Sequence, residues 1–153
     1  MKLAGSYEIN APRETVWRTI TQPGSLQGCI PGCQRLEDVG DGNYEASISA
    51  QFGPIRGSFS AKVSIRDWNP HESYRMIVSA NGAPGFVNGE AFITLTEGGG
   101  VTTVTVDGDG QAGGLLARVG QRMMENVSRS MMDRFFNCLA ESAAAGGGSQ
   151  SGG

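Results

Sequence analysis

Apolar and polar side chains alternate along the middle of the chain. The clearest run covers residues 55–66, where the odd positions are apolar or glycine and the even positions are Ser, Lys or Arg. A period of two is typical of a β-strand with one buried and one solvated face. Residues 44–52 repeat the pattern, and turn sequences such as GDGN at 40–43 and GGG at 98–100 separate such runs. The segment 34–109 therefore predicts six antiparallel strands joined by short turns.

The two ends of the chain add one strand and three helical segments. Residues 2–10 alternate like the later strands, and Pro12 can then open a short helix at 13–21. Residues 23–28 can form a further helical turn. Between 115 and 142 the apolar residues recur every three or four positions without a proline, so we expect one long helix of about 40 Å at 1.5 Å per residue.

This order of elements predicts an α+β helix-grip fold of the START/Bet v1-like kind. Such a fold has a seven-stranded antiparallel curved sheet around a long C-terminal helix, with two short helices after strand 1. The space between sheet and helix is often a cavity. Large and small residues alternate on the apolar face, with Phe59 between Gly57 and Ala61, which leaves room for a guest.

Composition narrows the choice of partners and compartment. The 12 basic and 15 acidic residues give a net charge of -3 with no basic block, which argues against nucleic acid as a partner. The N-terminus lacks the apolar core of a signal peptide, and no apolar stretch is long enough to span a membrane. We therefore expect a cytoplasmic protein.

The sequence CIPGC at 29–33 contains two of the three cysteines. Without an export signal we expect reduced thiols, with Pro31 and Gly32 forming a turn and the cysteines packing as small apolar residues. A Cys29–Cys33 disulfide is the less favoured alternative. We expect no metal site, because the chain has one histidine, His71, in a predicted turn.

Catalytic groups are not suggested by any pattern in the chain. His71 is predicted to be a solvated turn residue with no nucleophile or second carboxylate placed beside it. Inward-facing Tyr44 and Tyr74 are more simply explained as core residues. We therefore expect no enzymatic activity.

Three segments give the chain a specific resemblance. They are CIPGC at 29–33, GEAFITL at 89–95 and GGLLARVGQR at 113–122. Together they resemble the CoxG family of carbon monoxide dehydrogenase accessory proteins, over about residues 3–139. This resemblance implies a START-like (SRPBCC) ligand-binding domain, which we assign to residues 1–142, and the Gly/Ser-rich segment 143–153 is expected to be a flexible tail.

The resemblance also implies a partner. Members of this family accompany molybdenum hydroxylases that oxidise carbon monoxide or related small substrates, and the family is associated with attaching the dehydrogenase to the cytoplasmic membrane. The implied partner is a CO dehydrogenase-type molybdenum hydroxylase. Peripheral contact with the inner face of the membrane would involve a C-terminal tail.

Several residues are candidates for contact with an apolar guest. Met123 and Met124 have flexible, polarisable side chains suited to lining a pocket or to filling the core, whereas Met131 and Met132 are predicted as core filler. Gly120, unfavourable inside a helix, would give clearance for the guest. Phe86, in a predicted loop at 81–89, would be a tucked plug or a gate.

The leading hypothesis from the sequence is a non-enzymatic carrier. It would hold a lipophilic redox molecule, most simply an isoprenoid quinone such as menaquinone or ubiquinone, and link the dehydrogenase to the membrane quinone pool, with no metal or covalent cofactor. The candidate ligand-binding residues are Leu26, Ile30, Phe52, Ile55, Phe59, Phe86, Leu116, Val119, Gly120, Met123, Met124 and Val127.

Two alternatives stay open at this point. The domain could recruit or assemble the dehydrogenase at the membrane through its surface, with no functional ligand. It could also be an enzyme of the cyclase or dehydratase kind, which would need polar catalytic groups inside the cavity.

Overall fold

The computed structural model describes the backbone of residues 1–152 and the side chains of residues 1–144 except Phe52. Seven strands form one antiparallel sheet in the order β1-β7-β6-β5-β4-β3-β2. The strands are β1 Lys2–Ile9, β2 Cys33–Gly40, β3 Asn43–Phe52, β4 Ile55–Asn69, β5 Ser73–Gly82, β6 Gly85–Gly98 and β7 Val101–Gly114. The helices are α1 Arg13–Thr21, α2 Pro23–Cys29 and α3 Gln121–Gly152, with a short 3₁₀ helix at Leu115–Val119. The predicted helix-grip fold is confirmed.

The long helix begins later than the sequence predicts. Leu115–Val119 forms a separate 3₁₀ helix, and Gly120 then adopts φ 92° and ψ 153°, a conformation that only glycine adopts easily. The prediction of one helix from residue 115 is therefore wrong in its first turn. Gly120 is explained by its backbone angles, and an added Cβ there would meet no atom within 4 Å, so clearance for a guest is not needed to explain it.

At its other end α3 continues past the predicted limit. The helix extends to Gly152, and Ala143 is only 1% exposed. The sequence predicts that residues 143–153 are a flexible tail. The side chains from residue 145 onward lie outside the described residues.

The alternation of apolar and polar residues dictates which face of each strand is buried. In β4 Phe59, Ala61 and Ile65 are buried, and the polar side chains between them point to solvent or are half-buried. A main core fills one end of the molecule, between the sheet, α1 and the second half of α3, with Val16, Val104 and Leu139 fully buried. Each such residue contributes about 1.5–3 kcal/mol by burial.

A second, smaller apolar cluster lies under the first turns of α3. Phe59, Leu116 and Met124 are its buried centre. The half-buried residues packed around them are Met1, Ala50, Ile55, Ala80, Val87, Ala112, Val119 and Val127. We call this group the second cluster.

The cysteines depart from the sequence prediction. Cys29, the last residue of α2, forms a disulfide with Cys138 of α3, and the two Cα atoms are 5.3 Å apart. Cys33 is the free thiol. The expectation of reduced thiols throughout is therefore wrong. Sequence spacing could not show the pair, because its members are 109 residues apart and only the tertiary fold brings them together.

Candidate ligand-binding groove

An open groove of about 450 Å³ runs between β3 and α3. Its lining residues are Pro31, Gly32, Ser49, Ala50, Gln51, Asn126, Val127, Ser130, Met131 and Arg134. The last five of these residues belong to α3. The spacing between successive ones alternates between one and three positions, so they share one face of the helix. This volume is within the range of about 300–1,000 Å³ that is usual for small-molecule sites.

The corner before β2 closes one end of the groove. Gly32 has φ 76°, and a Cβ at this position would overlap the carbonyl oxygen of Ser49. The Ser49 N–H also donates a hydrogen bond to the Gly32 carbonyl at 2.9 Å. Glycine is therefore required for the corner to lie against β3 and form a wall.

The groove has an apolar floor and a polar rim. Ala50 and Val127 belong to the second cluster, so the floor is continuous with apolar packing under α3. Asn126, Ser130 and Arg134 are exposed along the rim. The Arg134 guanidinium makes no hydrogen bond or ion pair with any residue whose side chain is described. Such an arrangement suits a molecule with an apolar body and a polar head that accepts hydrogen bonds.

The opposite side of α3 is fastened to β1. The Tyr7 hydroxyl donates a hydrogen bond to Asp133 at 2.6 Å, and Arg129 donates one to the Ala4 carbonyl at 3.1 Å. The Tyr7 ring stacks on Phe136 with centroids 4.4 Å apart. Burial and the Asp133 carboxylate raise the pKa of Tyr7 to about 12. No such hydrogen bond joins α3 to β3 within the described part of the chain, which leaves the groove open on that side.

Half of the twelve predicted ligand residues lie together. Ile55, Phe59, Leu116, Val119, Met124 and Val127 all belong to the second cluster. Val127 alone among them also lines the groove. These six side chains pack against one another under the groove, with Leu116 0% exposed, so they occupy space that the sequence predicted as room for a guest between sheet and helix.

Besides Phe86, four predicted residues lie away from that cluster. Met123 is 38% exposed beside Gly53 in the β3–β4 turn, and Gly120 is exposed. Leu26 and Ile30 are half-buried at α2, where Ile30 borders a wider surface depression of about 610 Å³ around the CIPGC corner. The Phe52 side chain lies outside the described residues.

Phe86 occupies the outer face of the sheet. The predicted loop at 81–89 is wrong, since β5 and β6 continue through it and only residues 83–84 connect them. Phe86 pairs with Gly113, where a Cβ would overlap the Phe86 ring, and the ring is 38% exposed. This position, away from the groove, does not suit a plug or a gate.

Sequence reasoning missed Pro84, which closes the end of the sheet nearest the 3₁₀ helix. Pro84 is buried over Gly57, where a Cβ would overlap its ring, and its carbonyl accepts a hydrogen bond from the Leu116 N–H at 3.1 Å. The sequence does contain a sign of this contact, because Gly57 lies inside a predicted strand. A glycine within a strand often marks a place where another segment packs closely against the backbone.

Met131 and Arg134 were also outside the predicted set. The sequence predicts Met131 as core filler, but it is half-buried in the groove wall, whereas Met132 is 9% exposed in the main core. The helical pattern alone does not distinguish these neighbours, because their environment depends on how α3 is rotated against the sheet.

Polar aromatic residues gather at the other end of the molecule. Tyr74 is 7% exposed, and its ring lies 5.5 Å from that of Trp17 and 5.8 Å from that of Trp68. Burial raises the pKa of Tyr74. The exposed His71 ring lies 6.0 Å from Trp17. This aromatic group packs the β4–β5 turn against α1.

Within the described residues, no three His, Cys, Asp or Glu side chains are placed to hold a metal ion. The same part of the chain contains no helix with the length and apolar character needed to cross a bilayer.

Solved structures similar to this chain support the fold assignment. A conserved protein from Geobacillus kaustophilus superposes with a TM-score of 0.91 at 32% identity, covering 95% of this chain and 96% of that one. A START superfamily protein from Mycobacterium smegmatis gives 0.72 at 11% identity, covering 94% and 97%. The ZhuI aromatase/cyclase from Streptomyces sp. R1128 gives 0.70 at 12% identity, covering 94% and 93%. The last two likenesses concern the fold alone.

No curated protein matches the chain in sequence. The sequence model of one family does match, over residues 5–144, and that family is described as the G subunit of carbon monoxide dehydrogenase (CoxG). The match covers nearly the whole domain, including the Pro-Gly corner, the groove and most of α3. The chain therefore belongs to the CoxG family of carbon monoxide dehydrogenase and has its START-like helix-grip fold.

Proposed function

We propose that this protein is an accessory subunit of a CO dehydrogenase-type molybdenum hydroxylase and carries a lipophilic molecule in the β3–α3 groove. The observation that carries the proposal is the apolar floor beneath a polar rim, in a chain that belongs to this family. An isoprenoid quinone, menaquinone or ubiquinone, matches that groove chemically. Its ring and prenyl chain are apolar, and its two carbonyl oxygens accept hydrogen bonds.

The apolar part of the lining offers a quinone ring and its prenyl units a surface to pack on, and each Å² of apolar surface removed from water contributes about 25 cal/mol. Only the surplus over an association cost of about 4 kcal/mol or more appears as affinity. Arg134 is free to donate hydrogen bonds to a quinone carbonyl, because no described residue engages its guanidinium.

The proposal assigns no chemical step to the chain itself. The described groove lining contains no His, Asp, Glu or Cys that could act as a general acid, a general base or a nucleophile. The protein would hold the quinone, and the partner hydroxylase would exchange electrons with it. Collecting quinone from the membrane pool would require peripheral contact with the inner face of the cytoplasmic membrane.

A blocking variant tests ligand binding. Ala50→Phe places a ring in the groove floor, whereas Ser60→Phe adds the same ring to the exposed face of β4. Equilibrium dialysis with a menaquinone carrying two prenyl units should show at least ten-fold weaker binding for Ala50→Phe and unchanged binding for Ser60→Phe. Failure of the unmodified protein to bind this quinone, or equal binding by both variants, would contradict the proposal.

A second candidate function is recruitment of the dehydrogenase without a functional ligand. It is favoured by apolar side chains on the outer face of the sheet, where Ile77 is 36% and Phe92 is 49% exposed. Co-purification with the hydroxylase discriminates the two functions. Loss of the partner with Phe92→Ser, together with full electron transfer in Ala50→Phe, would favour recruitment.

A further inference from the structure

The helix α2 buries a single side chain almost completely. It has seven residues, no side-chain cap at its N-terminus, and Cys29 is the residue that it buries. Cys29 is 6% exposed and is bonded to Cys138. The disulfide is therefore a covalent attachment of α2 to α3, beside the non-covalent contacts that α2 makes with β2 and α1.

The disulfide also links one end of the groove to one of its walls. Pro31 and Gly32, the corner that closes that end, follow Ile30, the C-cap residue of α2. Arg134, on the α3 wall, lies four residues before Cys138, or about one helical turn. A covalent bond at this place limits how far the corner can move from α3.

We propose that the Cys29–Cys138 pair is a reversible thiol–disulfide latch on the groove. In the oxidised state it holds the Pro31–Gly32 corner at a fixed distance from α3. In the reduced state α2 and the corner move more freely, and the groove loses its defined width. This effect on ligand binding rests on the function proposed above, whereas the effect on α2 does not.

The reductant is a dithiol. One thiolate of the dithiol attacks Sγ of Cys138, the more exposed of the two cysteines, and the S–S bond breaks with Cys29 leaving as a thiolate. The second thiol of the dithiol then attacks the mixed disulfide and releases Cys138. Two electrons and two protons pass to the protein, both cysteines end as thiols, and the dithiol ends as a cyclic disulfide.

Cys33 is the remaining thiol, and its surroundings disfavour its exchange with the disulfide. Burial raises the pKa of its thiol, and its Sγ donates a hydrogen bond to the Arg35 carbonyl at 3.4 Å. Since the thiolate is the attacking species, a raised pKa disfavours exchange between Cys33 and the disulfide.

Hydrogen–deuterium exchange tests the latch without any ligand. The Leu26 N–H donates to Gln22 and the Ile30 N–H donates to Leu26, both at 3.0 Å, so these amides report on α2. Treating the full chain with dithiothreitol should accelerate exchange across 22–33 at least ten-fold and change the β5 and β6 amides less than two-fold. Equal rates in the two states would overturn the latch, and so would uniform acceleration along the whole chain.

Two variants complete this experiment. Cys33→Ser retains the disulfide and should show the same response to dithiothreitol as the unmodified chain. Cys138→Ser should exchange like the reduced chain whether or not dithiothreitol is present. A continued response to dithiothreitol in Cys138→Ser would assign the effect to other chemistry and refute the proposal. Alkylation mass spectrometry should show one accessible thiol per oxidised chain and three after reduction, and three before reduction would refute it.

Dialysis with the same two-prenyl menaquinone separates the latch from the carrier function. Reduction should weaken binding at least five-fold. If neither state binds the quinone, the carrier function fails, and the exchange experiment still decides the latch. If both states bind equally while exchange differs, the disulfide does not control the groove and that part of the proposal is wrong.

Discussion

Reducing the Cys29–Cys138 disulfide should lower the stability of the domain substantially. The bond closes a loop with a sequence separation of 109 residues. The loss of loop-closure entropy for that length corresponds to about 4.8 kcal/mol at 25 °C, near the upper end of the effect usual for native disulfides. For a chain of this size about 1 kcal/mol corresponds to 2–4 °C, so the melting temperature should fall by roughly 10–19 °C.

Calorimetry with and without dithiothreitol measures this shift directly. The matched control is Cys33→Ser, which leaves the disulfide intact and changes one atom at a half-buried position, so it should move the melting temperature by at most about 4 °C, since a typical single substitution costs about 1 kcal/mol. Cys138→Ser should melt like the reduced protein. A shift below about 3 °C on reduction would show that the bond is absent in solution or that the unfolded chain gains little freedom without it, and the reasoning would fail.

Three other substitutions test separate features of the structure. Leu116→Ala, at a side chain that is 0% exposed, should cost about 3 kcal/mol in urea unfolding, whereas Leu115→Ala, at one 49% exposed, should cost less than about 0.5 kcal/mol. Gly120→Ala should destabilise by about 1–3 kcal/mol because of its positive φ, the reverse of the gain expected inside a helix, while Gly98→Ala should be near neutral. The Tyr7 pKa of about 12 lies above its ordinary value of 10.0, so its stabilising contribution is complete below pH 10 and is lost as the pH rises through 12. Absorbance titration should therefore show one tyrosine ionising near pH 12, absent in Tyr7→Phe, and ionisation of that residue near pH 10 would contradict the hydrogen bond.

The strands could be predicted because burial on one face imposes a period of two that is visible in the chain. Residues 55–66 keep this alternation, and the structure buries Phe59, Ala61 and Ile65 as the pattern requires. The same local logic identified α1 and α2 through Pro12 and Pro23. Resemblance in three short segments was enough to indicate the family.

The candidate site could be predicted only in part. Apolar residues on the buried face of a strand or helix are recognisable, so six of the twelve candidates came together in the second cluster. Phe86 was misplaced because a two-residue hairpin and a long loop share the same Gly and Pro signals. Ser130 and Arg134, at the rim, are exposed polar residues of a kind found on most helices. Only the folded structure shows that they lie across a groove from β3.

Local sequence patterns were enough to specify the strands and helices and the faces they bury, because hydrophobic periodicity and turn chemistry act over a few residues. The rotation of α3, the break at Gly120 and the pairing of Cys29 with Cys138 arise instead from the folded molecule. They depend on contacts between segments more than a hundred residues apart, or on a backbone angle that the surrounding packing imposes. The groove exists for the same reason, since α3 is fastened to β1 on one side and left apart from β3 on the other.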